Sequence, residues 1–303
     1  MRRAAQLAAF AAVSMCATGT QADPYAYATT FDTGPELSSR LLQIDLATGV
    51  SRSVGRINFV DVEGLAMALD GTLYAVSDKP PKTLLTVDTS FGGGTAVGPG
   101  NGNLGTMATT PLDFGLAFTC DGRLWMSSDT TGSLWEVNRN TGESRLVGSM
   151  AANISGLAGT ANGLYGIGVE GTRGLYRIDV DTAAATRVGP VIGSIAPYVD
   201  AGMDVDSAGN LWAVLDYNLP PDSRPGDSGK LSDLVKINAQ TGAFTYVSKT
   251  SIEVEGLAIG RPPACAMGTG SVPTVPASTW QALVVLGLVL LGFGFFRVRH
   301  AVR

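Results

Sequence analysis

Histidine is nearly absent from this sequence. Its one copy, His300, lies close to the C-terminus, beyond an apolar run. The body of the chain therefore offers no imidazole base, no Ser-His-Asp triad and no histidine metal ligand. Chemistry there would rest on carboxylates, Tyr, Lys or a bound metal. Basic residues are also scarce. Of 21 Lys+Arg, five (Arg2, Arg3, Arg297, Arg299, Arg303) lie in terminal segments that hold no acid. Between them stand 16 basic and 26 acidic residues, a net charge of −10. That balance argues against nucleic acid, which rewards basic patches. It permits cations, and an acidic surface also serves solubility.

Long apolar runs are missing except at the two ends. Residues 1–22 have a basic start, a short apolar stretch and Thr20-Gln21-Ala22 before Asp23, which reads as a secretory signal peptide. Residues 262–279 are a Pro/Gly/Ser/Thr linker. Trp280 opens about 17 mainly apolar residues, long enough to span a bilayer. Arg297, Arg299 and Arg303 would hold the end on the cytoplasmic side. The expected domains are thus a signal at 1–22, a folded domain at 23–261, a linker at 262–279 and a transmembrane helix with basic tail at 280–303. The address is exported, periplasmic or extracellular, with the C-terminal helix as membrane anchor, or free after tail processing.

Cysteine is scarce as well, with three copies. Removal of the signal leaves Cys120 and Cys265, which in an exported protein suggest a disulfide. Both are expected near the channel on one face of the fold, where the bond would latch the tail. Two free thiols are the alternative.

What the chain has in plenty is glycine and short strands. From Phe114 to Gly148 it shows Gly115-Leu116-Ala117, an Asp121-Gly122 turn, Leu124-Trp125, Val137-Asn138, a Thr141-Gly142 turn and Val147-Gly148. Apolar and polar residues alternate at strand period, and the two-residue turns use Gly where positive φ is needed. Copies stand at residues 63–98, 155–189 and 201–248. Their opening glycines, with Gly256, lie roughly 40 to 55 residues apart, the period of four-stranded propeller blades. Residues 25–56 supply only the last three strands of a unit, and residues 255–258 only the first. Joined, they complete a fifth blade and remove open sheet edges. The fold expected is all-β: a five-bladed β-propeller closed by pairing N- and C-terminal strands.

The G-L-A…D-G-x-L-[YW] and [IV]-[DN]-x-x-T-G units resemble the broad superfamily of NHL, SMP-30/gluconolactonase-like and YVTN/quinoprotein-like propellers. The end of the chain, with Val272-Pro273-Thr274-Val275, Trp280, Arg297 and Arg299, resembles the PEP-CTERM/IPTL-CTERM class of bacterial sorting tails. That resemblance implies a sorting peptidase as a partner. A plain single-span anchor is the alternative.

The tight Gly turns should all emerge on one face of the disc and the long links on the other. Function usually sits on long loops held by a rigid scaffold. At the channel mouth on the loop face, acids precede the inner strands. Glu63, Glu255, Asp113 and Asp200 are the candidate binding residues, with Asn153 near the equivalent position in the remaining blade. Asp61, Glu63, Glu253 and Glu255 are the candidate metal ligands, and an oxygen-only set suits Ca²⁺ or Mg²⁺ rather than zinc. The bland alternative is that these acids meet water or accept backbone hydrogen bonds. Asp204-Val-Asp206-Ser-Ala-Gly209-Asn210 has some features of a calcium loop, but Ala208 stands where an oxygen is wanted, and it coincides with a tight turn. Two functions lead, a non-catalytic module binding a protein or glycan through the loop face or a metal-dependent hydrolase, with a structural cell-surface component as a third that the sequence does not separate from the first. SMP-30-like lactonases hold a divalent metal in a comparable ring, and the resemblance implies the second.

Overall fold

A computed structural model describes residues 25–30, 38–105, 107, 111–190, 197–217 and 231–260. The proposed signal, linker and tail, and Cys265, lie outside the described residues.

Twenty strands form five four-stranded antiparallel sheets. Blade I joins the two ends of the domain: β1 (Tyr25–Thr30), β2 (Arg40–Asp45) and β3 (Ser51–Arg56), with β20 (Val254–Ala258) as its innermost strand. Blade II is β4 (Val62–Met67), β5 (Leu73–Ser77), β6 (Thr83–Val87) and β7 (Gly94–Ala96). Blade III is β8 (Phe114–Phe118), β9 (Leu124–Ser128), β10 (Ser133–Val137) and β11 (Ser144–Ser149). Blade IV is β12 (Ile154–Thr160), β13 (Gly163–Gly168), β14 (Gly174–Ile178) and β15 (Ala185–Arg187). Blade V is β16 (Asp200–Val205), β17 (Leu211–Asp216), β18 (Asp233–Ile237) and β19 (Phe244–Lys249). The five-bladed ring and its closure by β20 against β1 agree with the sequence expectation. The closing register runs Tyr27 opposite Ala258 and Ala28 opposite Leu257.

Burial falls from axis to rim. Every residue of β4 and β8 is buried, while β3 and β11 show exposed and half-exposed residues throughout. Among the described residues, each apolar cluster joins two neighbouring blades. One apolar cluster joins Ala66, Tyr74 and Leu84 of blade II to Leu116 and Met126 of blade III. Another joins Leu42 and Ile44 of blade I to Trp212 and Leu234 of blade V. The core is thus a set of inter-blade layers, which is why an open ring would leave two apolar faces wet. Trp125, Trp212, Tyr74 and Tyr165 are core residues as expected, and Trp135 is half-buried at the edge of one layer. The indole N–H of Trp212 donates to Asp206 at 2.9 Å. Asp206 also accepts from the backbone of Ala208 and Asn210, so the residue 204–210 segment is a hydrogen-bonded turn.

Glycine sets the bore. Gly64, Gly115, Gly156, Gly202 and Gly256 ring the axis, one per inner strand. A Cβ on Gly115 would lie 2.2 Å from the carbonyl oxygen of Ser155, and one on Gly156 would lie 2.6 Å from that of Ala201. Only glycine lets neighbouring inner strands approach this closely.

Candidate functional site

The inner strands surround a cavity of about 20 Å³, room for roughly one water molecule. Its polar lining is Glu63, Asp113, Ser155, Asp200 and Glu255, one residue from each blade. All four expected binding acids are brought together. Ser155, not Asn153, is the lining residue of blade IV.

These five do not share one position along the sequence motif. Glu63, Ser155 and Glu255 directly precede the collar glycine, whereas Asp113 and Asp200 stand two residues before it. The backbone accounts for the offset. In blades I, II and IV the pairing of first and second strands slips by one residue at this point. In blades III and V it does not. A bulge inserts one residue and re-aims a side chain, so a bulged blade presents the later residue to the axis. Two of the acids at the strand entries have left-handed backbone, Asp61 at φ 58° and Asp113 at φ 46°. Asp adopts that region more readily than most residues.

A second row of acids stands behind the first. Asp78 and Asp129 directly follow the second strands of blades II and III, and Asp216 ends that of blade V. Sequence reasoning missed all three, although Leu-[Tyr/Trp]-x-x-x-Asp recurs at residues 73–78, 124–129 and 211–216. Asp61, Glu63 and Asp78 form the one trio among the described residues whose ligand atoms lie within 4.8 Å of each other. Of the four expected metal ligands, Asp61 and Glu63 thus come together with Asp78. Glu253 and Glu255 belong to no such trio among the described residues.

Most of these oxygens already have work. The Phe114 N–H donates to Glu63 Oε2 at 2.7 Å, and the Leu112 N–H to Asp78 Oδ2 at 2.8 Å. Lys82 buries its ammonium against Asp78, with both side chains almost fully covered. Ser155 donates to Asp200, and Ser232 to Asp216. Backbone acceptance, the bland expectation, therefore holds for Glu63, and the unforeseen Asp78 accepts a backbone N–H too.

Electrostatics crowd the mouth. Burial, then repulsion from Glu255, Asp78 and Asp113, pushes the Glu63 carboxyl well above its usual range. Desolvation, then Asp200 and Asp216, does the same to Glu255. Asp113 faces solvent yet rises to about 6, through desolvation by the walls and then Asp200 and Asp78. Its hydrogen bond with Glu63 pulls the other way. Asp129 rises to about 8, through desolvation and then Asp113 and Asp200. The crowding disfavours a full set of negative charges at this mouth, and a divalent cation would relieve it.

The fold and mouth define a class: a small propeller with a sealed axis and an acid-rimmed mouth. Within it, the chain belongs to the family described as a repeat of unknown function (DUF6923), whose model matches residues 9–201. Solved structures with a similar fold include TolB from Acinetobacter baumannii, 14% identical over 78% of this chain, with a TM-score of 0.43. The chain spans about half of TolB, 55% of its length. A gluconolactonase from Xanthomonas campestris is 14% identical, over 77% of this chain and 78% of its own, with a TM-score of 0.46. A Bacteroides thetaiotaomicron protein of unknown function is 14% identical, over 63% of this chain and 53% of its own, with a TM-score of 0.47. No curated protein matches the chain.

Proposed function

We propose that this is an exported, C-terminally anchored propeller that acts as a non-catalytic binding module through its loop face. One observation carries the reading: four acids, Glu63, Asp113, Asp200 and Glu255, line the loop-face end of a bore that admits about one water. A ligand meets this mouth from outside and does not pass through it. The partner is a protein or glycan, not nucleic acid. Residues 1–22 supply the export signal and residues 280–303 the membrane anchor or sorting tail. Cys120 lines a groove of about 980 Å³ on the tight-turn face, with its Sγ 3.5 Å from the Thr160 carbonyl oxygen. A Cys120–Cys265 bond would tie the tail to that face.

The 4.8 Å trio of Asp61, Glu63 and Asp78 favours a second reading, a metal-dependent hydrolase. Those three residues would hold Ca²⁺ or Mg²⁺, and such an ion would polarise a carbonyl and activate water. The fit is partial, since Lys82 holds Asp78 and the Phe114 N–H holds Glu63.

The test pairs two measurements on the mature protein. One is retention on a glycan and peptide array. The other is turnover of a lactone and ester panel with added Ca²⁺. Retention that falls in Asp113→Asn/Asp200→Asn, with no turnover, supports the binding reading. Ca²⁺-dependent turnover that disappears in Glu63→Gln overturns it in favour of the hydrolase.

A further inference from the structure

Strand register sets aspartates face to face in three blades. In blade V, Asp200 pairs directly with Asp216. In blade III, Phe114 pairs with Ser128, so Asp113 faces Asp129, whose N–H reaches the Asp113 carbonyl at 3.3 Å. In blade II, Val62 pairs with Ser77, so Asp61 faces Asp78, joined by the same backbone bond at 2.8 Å. Residues opposed in an antiparallel pair share one face, with Cβ atoms about 4.5–5.5 Å apart, and like charges there destabilise.

Blade II resolves its pair from within. The short link from Asp78 returns Lys82, whose ammonium meets the Asp78 side chain and, at 2.9 Å, its carbonyl oxygen. Blade V has no such cation among the described residues. Ser232 donates to Asp216 Oδ1, while Oδ2 is buried and has no hydrogen-bond partner among the described residues. The Asp216 side chain lies within electrostatic reach of Asp200 and Glu253, and Glu255 lies within reach of Asp200 and Asp216. An unmet carboxylate oxygen more than nine-tenths covered is costly unless something arrives to meet it.

We propose that the Asp200–Asp216 side of the mouth, with Glu255, receives a cationic nitrogen, an ammonium or guanidinium, presented by the loop-face ligand. This rests on the binding reading above and adds what the ligand must carry. Lys82 in blade II is the fold's own precedent. These three acids are not a set close enough to share one metal ion. A guanidinium spreads five N–H donors across a planar fork, and an ammonium offers three. The bore behind the acids takes about one water, so the group arrives as the tip of a basic side chain or of a linear polyamine. The net charge of −10 between the terminal segments steers such a ligand inward.

The experiment is calorimetric titration of the mature full-length protein at pH 7.5 and low salt. Three probes are used: acetyl-Arg-Gly-Arg-Gly-amide, spermidine and CaCl₂. One peptide or one spermidine per chain is expected, weakened about tenfold or more by Asp216→Asn. The exposed Asp181→Asn control is expected to bind like the wild type. Peptide binding alone assigns a protein side chain as the source, and spermidine binding alone assigns a free polyamine. Asp200→Asn is the second variant should Asp216→Asn fail to fold. Binding of Ca²⁺ alone, no binding by any probe, or equal loss in Asp216→Asn and Asp181→Asn overturns the proposal. Array retention that persists in those cases leaves the binding-module reading standing.

Discussion

Blades II and V solve the same electrostatic problem in different ways. Each sets an Asp at the start of the inner strand against an Asp at the end of the second. Blade II brings its own cation, Lys82, which is 4% exposed. Blade V brings a serine and leaves Asp216 Oδ2 unmet. A repeat fixes where carboxylates stand, and the link after the second strand decides what accompanies them. The comparison teaches that a pair completed from within is structure, and a pair left incomplete is available to a ligand.

Removing the internal cation is the strongest way to break this contrast. Lys82→Met should destabilise the protein by about 3–5 kcal/mol, because it strands a buried carboxylate. Urea unfolding measures the loss. Adding Asp78→Asn should recover part of it, since the stranded charge goes too and Asn still accepts from the Leu112 N–H. No recovery in the double variant would mean that Lys82 acts by packing, for instance through Phe114, whose ring centroid lies 5.4 Å from its Nζ.

The blade order, the closure and the four lining acids were legible in the sequence, because glycine spacing and strand alternation carry them. Residues 25–56 lacked a first strand and residues 255–258 supplied one, so the ring closed on paper. Lys82 and the three facing pairs were not legible. Which Asp opposes which depends on register, and the one-residue slip at Glu63 but not at Asp113 has no local marker. Ser155 was passed over for Asn153 because that slip was unknown in blade IV. The Asp ending three second strands did recur at a fixed offset, but its role appears only once the strands are paired.

The second way to sharpen the contrast is pH. Asp216 is pushed well above its usual range by burial and then by Asp200. Asp204, which accepts the Ile259 N–H at 2.7 Å, is raised by burial to about 7. A carboxyl whose folded pKa is raised keeps its proton after the unfolded chain has lost it. Stability therefore falls as pH rises from about 4 through the folded values. The carboxyls that are lowered, at Asp45, Asp70, Asp121 and Asp179, oppose this only in strong acid. Melting temperature should peak on the acid side of neutrality and decline towards pH 8. Asp216→Asn should raise stability at pH 8 by about 1 kcal/mol and change little at pH 5. A loss at pH 8 would show that the Asp216 charge is already met.

The smallest effect belongs to a cation–carboxylate pair at the other end of the disc. Arg123 Nε lies 2.6 Å from Asp121 Oδ2 in a tight turn, and the two side chains are 40% and 49% exposed. Water screens the attraction, however, and each ion keeps its hydration when its partner is removed, so exposed pairs contribute about 0–1 kcal/mol. Arg123 also lies over the Trp125 ring at 4.7 Å, a contact worth about 0.5–1 kcal/mol at an exposed site. Asp121→Asn should therefore cost under about 0.5 kcal/mol, and Arg123→Ala about 1. Both are well short of Lys82→Met. If Asp121→Asn instead costs as much as Lys82→Met, burial is not what separates the two ends, and the unmet oxygen of blade V loses its significance.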